Sequence, residues 1–386
     1  MTVLLLGAVV FTACGETQQT RQPVPDPSFQ VESSEAESSE AESSVQDTRE
    51  TESALPESDP EPEIVTLTIS AAGDVSLGKL QTHDYVGTLP EMYDLEGPGY
   101  FLEQVKPIFE TDDMTLVNFE GVLSHSDQRV EKTFNIKGDP EYVQALSLGS
   151  VEAVSLGNNH RMDYGQQGCD DTVRALEGAG IVYAYDNYLG YYETKGLLIG
   201  FVSVNEVYDG KAVEKYLQEG IAKLQEEGAN LIIACCHWGN EREHYPEEYQ
   251  TVLGKKCIDW GADLVIGHHP HVLQGIEEYN GKYIVYSLGN FCFGGNKNPS
   301  VKESMIFQQT FTFVDGEKQE GGEIRIIPCY ISSVQTRNDY QPTPAQGEEA
   351  LKILDLVNTY SADLGIKFDE EGRVAESDGK KTDEEK

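Results

Sequence analysis

Apolar positions along the chain show two textures. From Ile64 onward, short apolar runs alternate with stretches in which apolar residues recur every three or four positions. The runs Ile64–Ala71, Met114–Asn118, Ala153–Leu156, Ile181–Tyr185, Leu197–Val204, Leu231–Cys236, Leu264–Ile266 and Tyr283–Tyr286 predict strands, followed by two more at Met305–Phe313 and Ile324–Ile331. Gln166–Gly178, Val213–Glu227 and Glu247–Trp260 predict helices, with Gly178, Gly228 and Gly261 placed to end them. Strands alternating with helices define an α/β layered domain, expected over residues 64–335. Residues 336–386 read as a C-terminal extension, with one helix around Glu348–Tyr360 and a mobile acidic tail.

Ahead of Ile64 the texture is different. Val3–Thr12 is an apolar run too short to span a bilayer, and it leads into Ala13-Cys14-Gly15. Small residues before a lone cysteine resemble a bacterial lipoprotein cleavage box, so residues 1–14 are expected to be a signal peptide ending at a lipidated Cys14. That places the chain on the extracytoplasmic face of the cell membrane, anchored through lipid. Residues 15–63 hold fourteen Asp and Glu against Arg21 and Arg49, with repeated Glu-Ala-Glu-Ser-Ser, and read as a disordered, self-repelling tether.

The formal net charge of -39 changes the picture only by exclusion. Without a basic cluster the chain is a poor partner for nucleic acid or anionic lipid headgroups, which need Lys and Arg to neutralise phosphate. The cysteines beyond Cys14, namely Cys169, Cys235, Cys236, Cys257, Cys292 and Cys329, include no CxxC pair and read as buried small hydrophobes.

Candidate chemistry lies where the strands end. The polar residues there are Gly73-Asp74, Asn118-Phe119-Glu120, Asn158-Asn159-His160, His237-Trp238-Gly239-Asn240-Glu241 and Gly267-His268-His269-Pro270-His271. Of the eight histidines only His83, His125 and His244 fall elsewhere. Singly, Asp74 reads as a cap, Asn159 as a turn residue and His237 as a core histidine. Together, carboxylates, an amide and imidazoles converging on the end of a sheet, where α/β folds place ligands, form a mixed N/O set suited to Mn, Fe or Zn. Two cations about 4 Å apart need a bridging carboxylate, imidazoles to complete each shell and open positions for water and an anionic substrate. With Pro270 between them stiffening an extended segment, His269 and His271 are expected to diverge toward two different ions, with His268 a substitute or supporting group. Trp238 reads equally as a substrate platform or as packing, and Glu241 as support to a metal ligand or a helix-start charge. Neither a Gly-x-Ser-x-Gly elbow nor a P-loop is present, against serine-hydrolase and ATP-driven ligase readings.

The series Gly73-Asp74, Asn118-Phe-Glu120, Asn158-Asn159-His160-x-x-Asp163, His237-Trp-Gly-x-Glu241, Gly267-His-His-Pro-His271-Val and Ser287-Leu-Gly-Asn290-Phe291 resembles the capsule-synthesis (CapA-like) family associated with poly-gamma-glutamate. That family belongs to the calcineurin-like metallophosphatase superfamily. The resemblance implies a four-layer α-β-β-α sandwich with two divalent metal ions: Asp74 on the first, Glu120 bridging, Asn159, His237 and His269 on the second, and His271 returning to the first. It also implies that His160 faces the substrate, oriented by Asp163, to protonate a leaving oxygen or stabilise the transition state. Where the superfamily usually has a histidine and an aspartate, this chain has Ser76 and Glu120, departures the CapA-like family shares. Three functions follow as expectations: a surface lipoprotein of poly-gamma-glutamate or related capsular polymer synthesis or export, with metal-dependent hydrolase activity; a non-catalytic protein that holds an anionic polymer or scaffolds a membrane synthase; and a secreted phosphoesterase.

Overall fold

A computed structural model describes residues 61–375. The expected signal peptide with Cys14, nearly all of the expected tether and the end of the acidic tail lie outside the described residues.

Two mixed sheets face each other. The larger runs Thr343–Pro344, Glu323–Tyr330, Glu303–Val314, Ile64–Ser76, Met114–Phe119, Ala153–Ser155 and Val182–Ala184 in spatial order, with Asn290–Phe293 also paired alongside Ile64–Ser76. The smaller runs Ile276–Tyr279, Lys282–Val285, Leu264–His268, Leu231–His237, Leu197–Asn205 and Gly190–Thr194. Between them lies a core that takes Leu67, Ile69, Leu116 and Phe307 from one sheet and Ile199, Phe201, Ile233 and Ile266 from the other. Side chains alternate across a strand, so both outer faces are apolar as well. The larger sheet's outer face packs on Leu89, Met92 and Leu176, from the helices Leu89–Glu96 and Gly165–Gly178. The smaller sheet's packs on Leu217, Leu224, Leu253 and Cys257, from Val213–Glu226 and Glu248–Trp260. The result is the α-β-β-α sandwich expected, and all six described cysteines are free and buried in it.

The helix Glu248–Trp260 shows how local chemistry sets an element. Glu247 and Gln250 form a reciprocal capping box, and Gly261 ends the helix in the left-handed conformation at φ 115. The hairpin strands Gly190–Thr194 and Ile276–Tyr279 carry weak alternation and were not predicted. Their signals are the turns Lys195-Gly196 and Asn280-Gly281, both with positive φ at each residue, the geometry of two-residue hairpin turns.

Residues beyond 335 do not stand apart from the domain. Thr343–Pro344 extends the larger sheet, Tyr340 is fully buried, and the helix Glu348–Ser361 inserts Ile353, Leu354 and Val357 into the inter-sheet core.

Candidate metal centre

Strand register lines up the polar residues before any side chain is considered. In the larger sheet Asp74 pairs with Asn290 on one side and Asn118 on the other, and Asn118 pairs with Ser155. In the smaller sheet His237 pairs with Asn205 and His268. These strands run parallel, so their carboxyl ends lie at one end of the sandwich, and the two rows confront each other across it. Close backbone approach makes this possible: a Cβ on Gly73 would lie 2.0 Å from the Gly289 carbonyl oxygen, and one on Gly267 would lie 2.1 Å from that of Tyr286.

Asp74, Glu120 and His237 are buried, and each has a ligand atom within 4.8 Å of the others, the arrangement of a cation site. Around Asp74, His268 Nδ1 lies 3.2 Å from Oδ1 and His271 Nδ1 lies 3.0 Å from Oδ2. Nε2 of His271 and Nε2 of His160 stand 3.7 and 3.6 Å from Oε1 of Glu120. Two ligands bound at about 2.1 Å to one tetrahedral ion stand roughly 3.4 Å apart, so these spacings suit shared coordination. A second grouping lies alongside, with Oδ1 of Asn159 3.2 Å from His237 Nε2 and the His237 and His269 rings 4.7 Å apart. Close as the imidazoles come to the carboxylates, the contacts are not aligned as hydrogen bonds, and Asp74 Oδ2, Glu120 Oε1, both ring nitrogens of His268 and Nδ1 of His269 are buried without a hydrogen-bond partner. Buried polar atoms are nearly always satisfied, and so many orphans facing one space fit a bound cation.

Electrostatics point the same way. Burial raises the Glu120 carboxyl to about 8 against the opposing charge of His271. Burial would lower His271, but Glu120 and Asp74 hold it up at about 9. Burial also pushes Asp74 up, yet His268 and His271 outweigh it and bring it well below the usual carboxylate range. His237 is depressed by burial and by His269, and His269 is lowered to about 4 by burial and by His271. The cluster takes up positive charge, as a proton or as a cation, while its second grouping stays neutral and free to ligate.

His160 is held from behind. The Asp163 carboxylate accepts from the Ile136 N–H at 2.6 Å and the Lys132 ammonium at 2.7 Å, and lies 2.7 Å from His160 Nδ1. An ionised carboxylate only accepts, so Nδ1 carries the proton and Nε2 presents its lone pair toward Glu120 and a cavity of about 310 Å³. Burial lowers the His160 pKa against the pull of Asp163, which keeps the ring neutral.

The structure therefore brings together Asp74, Glu120, Asn159, His160, Asp163, His237, His269 and His271. It differs in how the histidine turn works. The segment is not extended, which would have turned residues two apart to one face; His269 and His271 instead have φ of 98 and 58, left-handed conformations that bulky residues rarely adopt. His269 thereby faces His237 while His271 faces Asp74. His268, ranked below both, is buried against Asp74. Trp238 is packing: it is fully buried and its Nε1 donates to the Tyr286 carbonyl at 2.9 Å. Glu241 is exposed at the cavity rim. Sequence reasoning missed Asn118 as a working group. Its amide donates to Asp74 Oδ1 at 2.9 Å, lies 3.5 Å from both Glu120 Oε2 and His237 Nδ1, and accepts from Asn158. Its place inside the Asn118-Phe-Glu120 motif was the available signal. Lys132, which also donates to the Asn159 carbonyl, sits in an irregular loop with no pattern to betray it.

Fold and site together define a sandwich protein with a buried Asp/Glu/His cluster suited to metal at its strand ends. Residues 68–295 match the family described as bacterial capsule synthesis protein PGA_cap, and the chain belongs to that family. It is 29% identical over 269 residues to the capsule biosynthesis protein CapA of Bacillus anthracis, which covers 63% of each chain. It is 30% identical over 248 residues to the PGA biosynthesis protein CapA of Bacillus subtilis, covering 59% of this chain and 63% of that one. The chain thus spans less than two thirds of the length of these relatives. A probable polyglutamine synthesis accessory protein of Mycobacterium tuberculosis is 25% identical over 340 residues, 72% of this chain and 88% of that one. Among solved structures, a hypothetical protein from Thermus thermophilus aligns with a TM-score of 0.40 at 16% identity, covering 68% of this chain and 99% of that one.

Proposed function

We propose that this protein is a lipid-anchored component of poly-gamma-glutamate or related capsular polymer synthesis on the outer face of the cell membrane, and that its strand-end site holds two divalent cations and hydrolyses bonds in an anionic substrate. The observation that carries the metal reading is the set of orphaned buried ligand atoms on Asp74, Glu120, His268 and His269. Asp74, Glu120 and His271 would hold one cation and Asn159, His237 and His269 the other, with Glu120 between them; Mn, Fe and Zn all suit the donor set. When bound, such cations polarise a substrate oxygen and activate water. The chain's own residues do the rest. Asn118 fixes the carboxylates, the Asp163–Lys132 pair orients His160, and neutral His160 moves a proton at Nε2 on the cavity side. Localisation rests on the apolar run before Cys14 and the acidic tether behind it.

A second reading, in which the site holds the polymer or docks a membrane synthase without turnover, draws support from Ser76, whose buried hydroxyl has no partner at a position where the wider metallophosphatase superfamily usually has a histidine. Metal analysis of the purified protein, with turnover of gamma-glutamyl polymers and a panel of phosphoesters, separates the readings. Two equivalents of metal with turnover of either substrate class are expected. Metal without turnover selects the second reading, and failure to bind any divalent cation sinks the metal-dependent one. Loss of acyl labelling in Cys14→Ser tests the anchor.

A further inference from the structure

At the opposite end of the sandwich a second cavity, of about 320 Å³, opens between the two sheets. It adjoins Asp263, immediately before the strand Leu264–His268, whose far end enters the metal centre. Five strand residues at about 3.3 Å each put the two sites roughly 16 Å apart. One wall is an ion cluster contributed by both sheets. The buried Asp263 places Oδ1 3.0 Å from Lys282 Nζ and 2.5 Å from Lys318 Nζ, while Oδ2 accepts from the Ile232 N–H. Two ammonium groups on one carboxylate oxygen leave a positive charge over, in a chain whose formal net charge is -39. The lysines also donate to the Ala262 and Asn230 carbonyls, and each ammonium has three donors, so each keeps one for a ligand.

The second observation is Gln309. It lines the same cavity at 2% exposure, and its Oε1 is buried with no hydrogen-bond partner. An unsatisfied buried carbonyl asks for a donor. Asn280 and the apolar Phe311 are also among the lining residues, and the one acid there besides Asp263, Glu320, is exposed.

We propose that this cavity is a second ligand site, independent of the metal centre, for a carboxylate with a neighbouring amide N–H: the anion on Lys282 and Lys318, the N–H on Gln309. A gamma-glutamyl unit and a peptide C-terminus both present that pair. The test is calorimetric titration of the full chain with gamma-glutamyl-glutamate, with alanyl-alanine and inorganic phosphate in parallel. Dipeptide binding is expected to persist after chelation of metal and in Asp74→Asn, and to weaken at least tenfold in Lys318→Gln and in Gln309→Leu. Lys318→Gln leaves Asp263 its Lys282 partner, and Gln309→Leu changes no charge, so at least one should keep the wild-type melting profile. Preference for gamma-glutamyl-glutamate assigns the polymer as ligand, and preference for alanyl-alanine assigns a chain terminus. No dipeptide binding at millimolar concentration, binding of phosphate alone, or affinity unchanged in both variants overturns the proposal.

Discussion

The larger sheet brings Asp74, Asn118, Glu120 and the Asn158-Asn159-His160 loop to the strand ends, whereas the smaller sheet brings His237, His268, His269 and His271. One side is almost all carboxylate and amide, and the other is all imidazole. Neither half is a site alone. Asp74 takes an amide nitrogen from Asn118 of its own sheet, but its close imidazole nitrogens, at 3.2 and 3.0 Å, come from across the sandwich, and the apolar core that clamps the sheets sets those distances. Metal affinity is therefore coupled to packing between the sheets, and a cation would bind the folded state in preference to the open chain.

The largest expected effect tests the exception to this division. His160 is an imidazole on the carboxylate side, and its Nδ1 is committed to Asp163. His160→Ala should lower turnover by about 10²–10⁴-fold, the range for removing a general acid or base, while inductively coupled plasma analysis finds the metal content unchanged. Metal lost along with activity would place His160 among the ligands and erase the distinction. Next in size, Asp74→Asn keeps the shape and removes the charge that sits between two imidazoles of the other sheet. Metal affinity should fall by more than 100-fold, beyond the roughly 10–100-fold typical of groups that only support ligands. Asn118→Leu should fall within that smaller range, measured by competition with a chelator.

This division was partly legible in the sequence. Asp74, Glu120, His237 and the histidine turn announce themselves because each follows an apolar run whose period fixes it as a strand, and strand ends in such folds collect ligands. The pairing of sheet with ligand type was not legible, because it depends on which strands become neighbours, and hydrophobic period is silent on strand order. The conformation of His269 and His271 was also hidden: no local signal makes two histidines left-handed, and only the confronting row from the other sheet explains it. Asn290 was legible as part of the Ser287-Leu-Gly-Asn290-Phe291 motif, and no strand was predicted there, yet it lies in a short strand beside Asp74. There it hydrogen-bonds His271 Nδ1 through its side-chain oxygen at 3.0 Å.

A smaller effect concerns pH. In the metal-free protein Glu120 holds its proton to about 8 and His271 to about 9. Their unfolded values are about 4.3 and 6.5, so between pH 7 and 9 the folded state binds more protons than the unfolded one. Stability must then fall as pH rises through that window, by roughly 3 kcal/mol, since an excess of somewhat more than one proton is held on average over two pH units at about 1.4 kcal/mol per unit per proton. Melting of the chelated protein at pH 7 and 9 measures the slope. Glu120→Gln should flatten it, and saturating metal should reverse it, because the cation displaces those protons and binds more tightly as pH rises. A slope that persists in Glu120→Gln would move its origin away from the carboxylate side.

The smallest expected effect is the most discriminating for the division between sheets. Ser76 stands where an imidazole would be expected on the carboxylate side, and its hydroxyl is fully buried without a partner. If the sheets divide the ligands as the geometry indicates, Asp74 has no need of a nitrogen from its own strand, because His268 and His271 supply two from the facing sheet. Ser76→Ala then removes only an unsatisfied hydroxyl, a change that is close to neutral in a buried site. Metal affinity should stay within about twofold and stability within roughly 0.5 kcal/mol. A loss of affinity comparable to that of Asn118→Leu would instead make Ser76 an oxygen donor to the cation beside Asp74. The larger sheet would then contribute oxygen ligands even where an imidazole was expected, and the contrast would be sharper than the distances alone require.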